Sequence, residues 1–188
     1  MVKKRIISSG YNRITTCDRP FQSGGTVIIA VDEVSCRAIA ISQEFRNLHR
    51  WSWMLQRGKK NVITIIVTAY YPKASSIIGG TYSQQLEALK IMKIQNDLRN
   101  QFLIDLNTEI VKWMDQGEQL ILMGDLNSEV SEVNKRIEKN VLTNKICDIH
   151  GYSDDPITYQ QSKDCLIDGI YYTSPLAENQ GGYYPLED

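Results

Sequence analysis

The chain has 188 residues, of which 42% are hydrophobic and 23% charged, and its formal net charge is −1. This composition excludes a disordered chain, and the length fits one globular domain, residues 1–188, with a sizeable core. Charge alone does not indicate nucleic-acid binding, because there is no overall basic surplus, and only a local basic patch could attract such a partner.

Neither the cysteines nor the hydrophobic runs indicate secretion or a membrane. The four cysteines include no Cys-x-x-Cys pair, and the two histidines do not stand near them at the spacing of a zinc site. No apolar stretch is long enough to cross a bilayer, and no signal-type apolar core follows the basic N-terminus. We therefore expect an intracellular protein of the nucleus or cytoplasm.

The first part of the chain has the pattern of β-strands. Residues 62–68 are β-branched throughout and predict a strong strand. Shorter candidate strands cover residues 26–31, 37–41 and 50–55. Turn residues between consecutive runs favour an antiparallel meander.

A long helical stretch is predicted over residues 83–116. Every fourth residue is apolar in the stripe formed by Leu98, Phe102, Leu106, Ile110 and Met114. This spacing predicts a helix that packs on a sheet. The stripe loses phase over residues 93–97, so we expect a break there, and Gly117 is a suitable terminator.

The most informative segment is the mostly apolar run of residues 119–123, which leads into Gly124, Asp125 and Asn127. The run has the length of a buried strand. In an extended chain residues two apart face the same side, so the carboxylate and the amide would project together from the strand end. Their oxygens suit a hard cation such as Mg²⁺, and Asp125 could hold or deprotonate a water. The alternative is a plain strand-ending turn, since Gly, Asp and Asn are common turn residues.

The remaining chain adds one further strand with a carboxylate. Residues 129–150 are polar and mixed, with a short helix expected near 131–139. A last strand is predicted over residues 165–172, with Asp168 inside its apolar run. This order of strands and helices indicates an α+β or layered α/β fold, whose chemistry collects at strand ends.

Four short segments occur in a specific order, namely Ser23-Gly-Gly-Thr26, Thr68-Ala-Tyr-Tyr-Pro72, Gly124-Asp-Leu-Asn127 and Ile167-Asp168. Together they resemble the endonuclease/exonuclease/phosphatase superfamily, and among its branches the endonuclease domains of retrotransposons most. The resemblance implies two packed, mostly antiparallel β-sheets flanked by helices, the DNase I-like sandwich.

The same resemblance implies hydrolysis of phosphodiesters with Mg²⁺ or Mn²⁺, and DNA as the substrate of the intact domain. Asp125 would hold or activate the attacking water or ligate the metal. Asn127 would orient that water or the phosphate and is the second candidate metal ligand. Tyr70 would contact the phosphate, and Asp168 would accept a hydrogen bond from a catalytic histidine and fix its tautomer.

The chain departs from the superfamily pattern at both ends. An Asn-bearing strand and a Glu-bearing strand normally precede the Gly-Gly-Thr segment, and no copy of either is evident in residues 1–19. Glu44 lies after that segment and is not assigned the metal role. The terminal Asp-His pair of the superfamily is not complete either: Asp188 is its first half, or, as we expect, the pair lies several residues further on. We therefore expect a domain truncated at both ends, with weak or no activity alone.

Two other functions stay open at the level of sequence. One is a phosphatase of inositol phosphates or related phosphoesters, which would use Asp125 and Asn127 in the same way. The other is a non-catalytic remnant or interaction module that retains the scaffold without a complete site. The sequence leaves the oligomeric state open.

Overall fold

A computed structural model describes residues 7–9, 25–75, 78–127, 146–148 and 168–173, and they form two β-sheets, three α-helices and one 3-10 helix, Lys59–Asn61. The strands are β1 (Ile7–Ser9), β2 (Ile28–Ala30), β3 (Ala38–Gln43), β4 (Trp51–Arg57), β5 (Ile63–Tyr70), β6 (Gln119–Asp125), β7 (Ile146–Asp148) and β8 (Asp168–Thr173). The larger sheet has six strands in the order β3-β4-β5-β6-β8-β7, and the smaller pairs β1 with β2. The helices are α1 (Asp32–Arg37), α2 (Thr81–Ile91) and α3 (Leu98–Asp115).

The large sheet is antiparallel except at its centre, where β5 and β6 run parallel. A parallel pair needs a crossover connection, and α2 and α3 supply it. The carboxyl ends of β5 and β6 therefore lie side by side at the same end of the sheet. Tyr70 and Asp125 are the last residues of these two strands.

The main core lies between α3 and one face of the large sheet. Three residues of the predicted stripe of α3 are buried there together with Trp113 and alternate residues of the two central strands. The buried members are Phe102, Leu106, Ile110, Trp113, Ile65, Val67, Leu120 and Leu122. The intervening strand residues face the other side and are only half-buried. Because Tyr70 and Asp125 belong to this second set, they lie on the sheet face away from α3.

The predicted break in the long helix is confirmed. Helix α2 ends at Ile91 and α3 begins at Leu98. The side chain of Asp97 caps α3 by accepting hydrogen bonds from the backbone N–H groups of Arg99 and Asn100. The loss of phase in the apolar stripe therefore marked a true helix boundary.

The meander prediction holds for β3, β4 and β5 but is wrong for the run at 26–31. That run contains β2, which pairs with β1 in the smaller sheet. Helix α1, which was not predicted, separates β2 from β3 and redirects the chain. Strand β7 falls in a segment expected to be loop, and the helix expected near 131–139 lies outside the described residues. Within the described part of the chain, no helix is both long enough and apolar enough to span a bilayer.

Candidate functional site

Three of the sequence-predicted site residues stand in one row across three adjacent strands. The register of the sheet places Tyr70 of β5 opposite Asp125 of β6, and Asp125 opposite Asp168 of β8. The chain beyond β5 stays attached to β6, because the N–H of Tyr71 donates to the carbonyl of Asp125 at 2.9 Å. The side chain of Asp168 lies outside the described residues, so its predicted role toward a histidine stays a prediction.

Gly124 sets the close approach of β5 and β6 just before Asp125. Its φ is +152°, and it lies opposite Ala69. A Cβ added at this position would overlap the carbonyl oxygen of Ala69. Only glycine fits here, and this explains the Gly in the Gly-Asp-x-Asn segment.

Asn127 joins the row through a turn rather than through an extended strand. Strand β6 ends at Asp125, Leu126 is buried, and Asn127 has the left-handed φ of +42°. The backbone N–H of Asn127 donates to Asp125 Oδ1 at 3.0 Å, and its Nδ2 donates to the carbonyl of Tyr71 at 3.0 Å. The predicted alternative, a strand-ending turn, therefore describes the backbone correctly. The same turn keeps Asn127 close to the Asp125 side chain.

The electrostatics connect Tyr70, Asp125 and Asn127 into one group, which we call the site cluster. Burial raises the pKa of Asp125, and hydrogen bonds from the backbone and side chain of Asn127 partly offset this. Burial and the charge of Asp125 raise the pKa of Tyr70, and a hydrogen bond with the Asn127 side chain partly offsets this rise. Tyr70 thus keeps its proton at neutral pH and can donate a hydrogen bond, while Asp125 is a stronger base than an ordinary carboxylate.

Solved structures of other proteins have a similar fold. The human Nocturnin catalytic domain, solved with a bound sulfate anion, superposes with a TM-score of 0.52 at 13% identity, over 90% of this chain and 61% of that chain. An AP endonuclease from Archaeoglobus fulgidus gives a TM-score of 0.50 at 15% identity, over 91% of this chain and 68% of that chain.

The chain has the DNase I-like fold. This confirms the fold that the sequence resemblance implied. No protein-family model matches the sequence, and neither does any curated protein. The chain spans 61% of the length of the Nocturnin domain.

A second polar group lies beside the site cluster in this DNase I-like domain. It consists of Glu44, Arg46, Arg50 and Asp105, and we call it the ionic network. Arg50 is fully buried and donates to both oxygens of Glu44, at 2.8 and 2.9 Å, and to Asp105 at 2.7 Å. Arg46 donates to both oxygens of Asp105 at 2.7 and 2.9 Å. The backbone carbonyl of Arg50 also accepts from the N–H of Tyr70 at 2.7 Å, so the network borders the site cluster.

Sequence reasoning missed the ionic network, because Asp105 lies 55 residues from Arg50 and 59 residues from Arg46 along the chain. It also shows why Glu44 is not available to bind a metal. Both of its carboxylate oxygens are buried and occupied by Arg50. His49 is equally unsuited to catalysis, since it is buried and bonded to Gln43 at 2.7 Å.

The site cluster offers two oxygen donors to a metal ion, the Asp125 carboxylate and the Asn127 amide oxygen. Among the described residues, no three His, Cys, Asp or Glu side chains stand close enough to hold a metal. Mg²⁺ commonly takes only one or two carboxylates and completes its shell with waters and substrate phosphates. The donors therefore fit a hydrated Mg²⁺ that arrives with a phosphate, and they do not form a closed metal cage.

Proposed function

We propose that this chain is part of a metal-dependent phosphodiester hydrolase of the endonuclease type, which acts on DNA. One observation carries the proposal. A phenol, a carboxylate with raised pKa and an amide meet at the carboxyl ends of the parallel pair β5 and β6, in a domain of DNase I-like fold. Strand ends of this kind are where layered folds place their reactive groups.

Each member of the site cluster can take one role in the attack of water on a phosphodiester. Asp125 would accept a proton from the water, which its raised pKa favours. Tyr70 would donate its hydroxyl proton in a hydrogen bond to a phosphate oxygen. Asn127 would direct its amide oxygen to the water or metal, because its Nδ2 is engaged by the carbonyl of Tyr71. When bound by Asp125 and Asn127, Mg²⁺ or Mn²⁺ would supply neutralisation of the charge that develops on phosphorus oxygens.

Nucleic acid is the first substrate class to test, because one structural neighbour is named an AP endonuclease. Low turnover is part of the proposal, because Asp125 is the only carboxylate described within the site cluster. A phosphatase of inositol phosphates would use the same groups. A non-catalytic module is the other candidate, and the two-donor metal site favours it.

A plasmid-nicking assay with Mg²⁺ tests the proposal directly. We expect the chain to nick supercoiled DNA slowly and Asp125→Asn to abolish nicking, whereas Asp115→Asn should have no effect. Asp115 is a matched control, being an exposed aspartate at the end of α3. Equal nicking by wild type and Asp125→Asn would refute the role of Asp125.

The same preparations separate the alternatives. Release of phosphate from an inositol polyphosphate, without nicking, would identify the phosphatase. A chain that neither hydrolyses substrate nor shows Mn²⁺-induced broadening of NMR signals near Asp125 would be the non-catalytic module.

A further inference from the structure

Arg99, in the first turn of α3, contacts the turn that carries Asn127 although the two residues are 28 positions apart. Its Nη2 donates to the backbone carbonyl of Asn127 at 3.1 Å. Its guanidinium carbon lies 4.3 Å from the centre of the Tyr71 ring, within the range of a cation–π contact. Arg99 therefore touches both Asn127 and the residue whose carbonyl accepts the Asn127 amide.

Asn127 needs such support because its backbone is left-handed. A φ of +42° is uncommon for a residue other than glycine, although asparagine tolerates it better than most. Three hydrogen bonds hold the turn: Asn127 N–H to Asp125, Asn127 Nδ2 to the carbonyl of Tyr71, and Arg99 to the carbonyl of Asn127. The first two join residues at the ends of β5 and β6, and the third connects the turn to α3.

Arg99 is itself held in place on both sides. Asp97 accepts from the backbone N–H of Arg99 at 3.0 Å, and Tyr82 of α2 donates to Asp97 at 3.2 Å. The Tyr71 ring under the guanidinium packs against Phe102 of the core, with ring centres 4.7 Å apart. The guanidinium thus reaches Asn127 from a fixed position.

We propose that Arg99 is a positioning residue for the site cluster. It holds the Asn127 turn so that Nδ2 stays on the Tyr71 carbonyl and the backbone N–H stays on Asp125 Oδ1. The geometric part stands on the contacts above, and the consequence for phosphate hydrolysis rests on the proposed function.

The geometry requires an arginine in particular. A planar guanidinium can lie over the Tyr71 ring and donate from its edge at the same time. Lysine retains the charge but presents a compact ammonium that cannot do both. Arg99→Lys therefore distinguishes positioning from a simple need for positive charge.

NMR of the Asn127 side-chain amide tests the proposal independently of activity. We expect Arg99→Gln and Arg99→Lys to shift both amide proton signals of Asn127 and to speed their exchange with water about tenfold, the effect of one lost hydrogen bond. Arg37→Gln is the control, because Arg37 lies on α1 and pairs only loosely with Glu33 at 3.8 Å. The two amide proton signals are assigned to Asn127 because they disappear in the Asn127→Asp variant.

A purely structural role would give a different result. Since α3 is also anchored by the core and the ionic network, removal of Arg99 should lower Tm by only about 2–4 °C. Unchanged Asn127 amide signals in a folded Arg99→Gln chain would overturn the proposal. Normal signals in Arg99→Lys would also overturn it, because charge alone would then suffice.

Mn²⁺ broadening and nicking separate this proposal from the proposed function. If the wild-type chain binds Mn²⁺ near Asp125, Arg99→Gln should weaken binding about five- to tenfold. Where nicking is measurable, its kcat should fall about tenfold with KM unchanged, as expected for a misplaced group. Failure of the wild type to bind Mn²⁺ or nick would count against the proposed function, while the amide signals alone decide the role of Arg99.

Discussion

The ionic network and the site cluster lie at the same end of the central strands, yet their carboxylates have opposite surroundings. In the network, all four oxygens of Glu44 and Asp105 accept hydrogen bonds from guanidinium groups. Burial raises the pKa of Asp105, but hydrogen bonds from Arg46 and Arg50 outweigh it and the pKa ends below its ordinary value. In the site cluster, Asp125 has only Asn127 as its described partner, and its pKa is raised.

This difference separates a carboxylate that fixes structure from one that is available for chemistry. A buried acid with a complete set of cationic partners has no vacant lone pair for a metal or a water. Burial disfavours the charged form of a half-buried acid that has no cationic neighbour. A metal ion or a proton can neutralise that charge. The contrast makes Asp125 the functional candidate, and substitutions in both groups can test it.

The largest effect is expected from Asp105→Asn, because it leaves Arg46 and Arg50 without the anion that they share. Loss of one partner in a buried ion network costs about 3–5 kcal/mol of the free energy of unfolding. The loss should appear in urea unfolding at pH 7, whereas Asp115→Asn should change stability by less than about 0.5 kcal/mol. A lowered folded-state pKa means that the difference is full above the ordinary value of 3.8 and shrinks as pH falls through the folded value. A shift no larger than that of Asp115→Asn would show that the network does not stabilise the fold.

Gly124→Ala should cost about 3 kcal/mol, because it adds a steric overlap to a strained φ. Gly117→Ala is the matched control. Gly117 also has a left-handed φ, +78°, but an added Cβ there meets nothing within 4 Å. The control should cost only about 1 kcal/mol in urea unfolding. Equal costs at the two positions would mean that β5 and β6 can separate without penalty, and that the register of Tyr70 with Asp125 is loose.

Asp125→Asn should change stability by less than about 1 kcal/mol and should not lower it. The raised pKa means that folding disfavours the charged carboxylate, so its neutral isostere loses nothing. Urea unfolding at pH 7, side by side with Asp105→Asn, measures the contrast directly. A loss of several kcal/mol would place Asp125 among the structural acids and would remove the basis of the comparison.

The smallest effect is expected from Glu109→Gln. Burial raises the pKa of Glu109 against a hydrogen bond from Trp51, whose Nε1 donates to Glu109 Oε2 at 2.9 Å. Glutamine keeps an acceptor oxygen and removes the charge, so we expect a gain of about 0.5 kcal/mol or less at pH 7. Because the folded pKa is raised, the gain should vanish as pH falls through that value to the ordinary 4.5. A gain that persists at pH 4 would mean that charge is not its cause.

Much of the central layer could be predicted from the sequence. The β-branched run at 62–68 and the apolar run at 119–123 became β5 and β6, and the phase break at 93–97 became the boundary between α2 and α3. These elements are long enough for periodicity to be read. Strands β1 and β7, with three residues each, and the six-residue helix α1 are too short to leave such a pattern.

The sequence alone determined which residue types stand at the strand ends: a tyrosine, an aspartate, an asparagine, and the glycine that lets two strands approach. The packing of whole elements set the parallel pairing of β5 and β6, with Tyr70 opposite Asp125. It also brought Arg50 between Glu44 and Asp105, and Arg99 to Asn127. Local patterns follow from the spacing of neighbouring residues, whereas partners 28 to 59 residues apart are chosen by how whole elements pack.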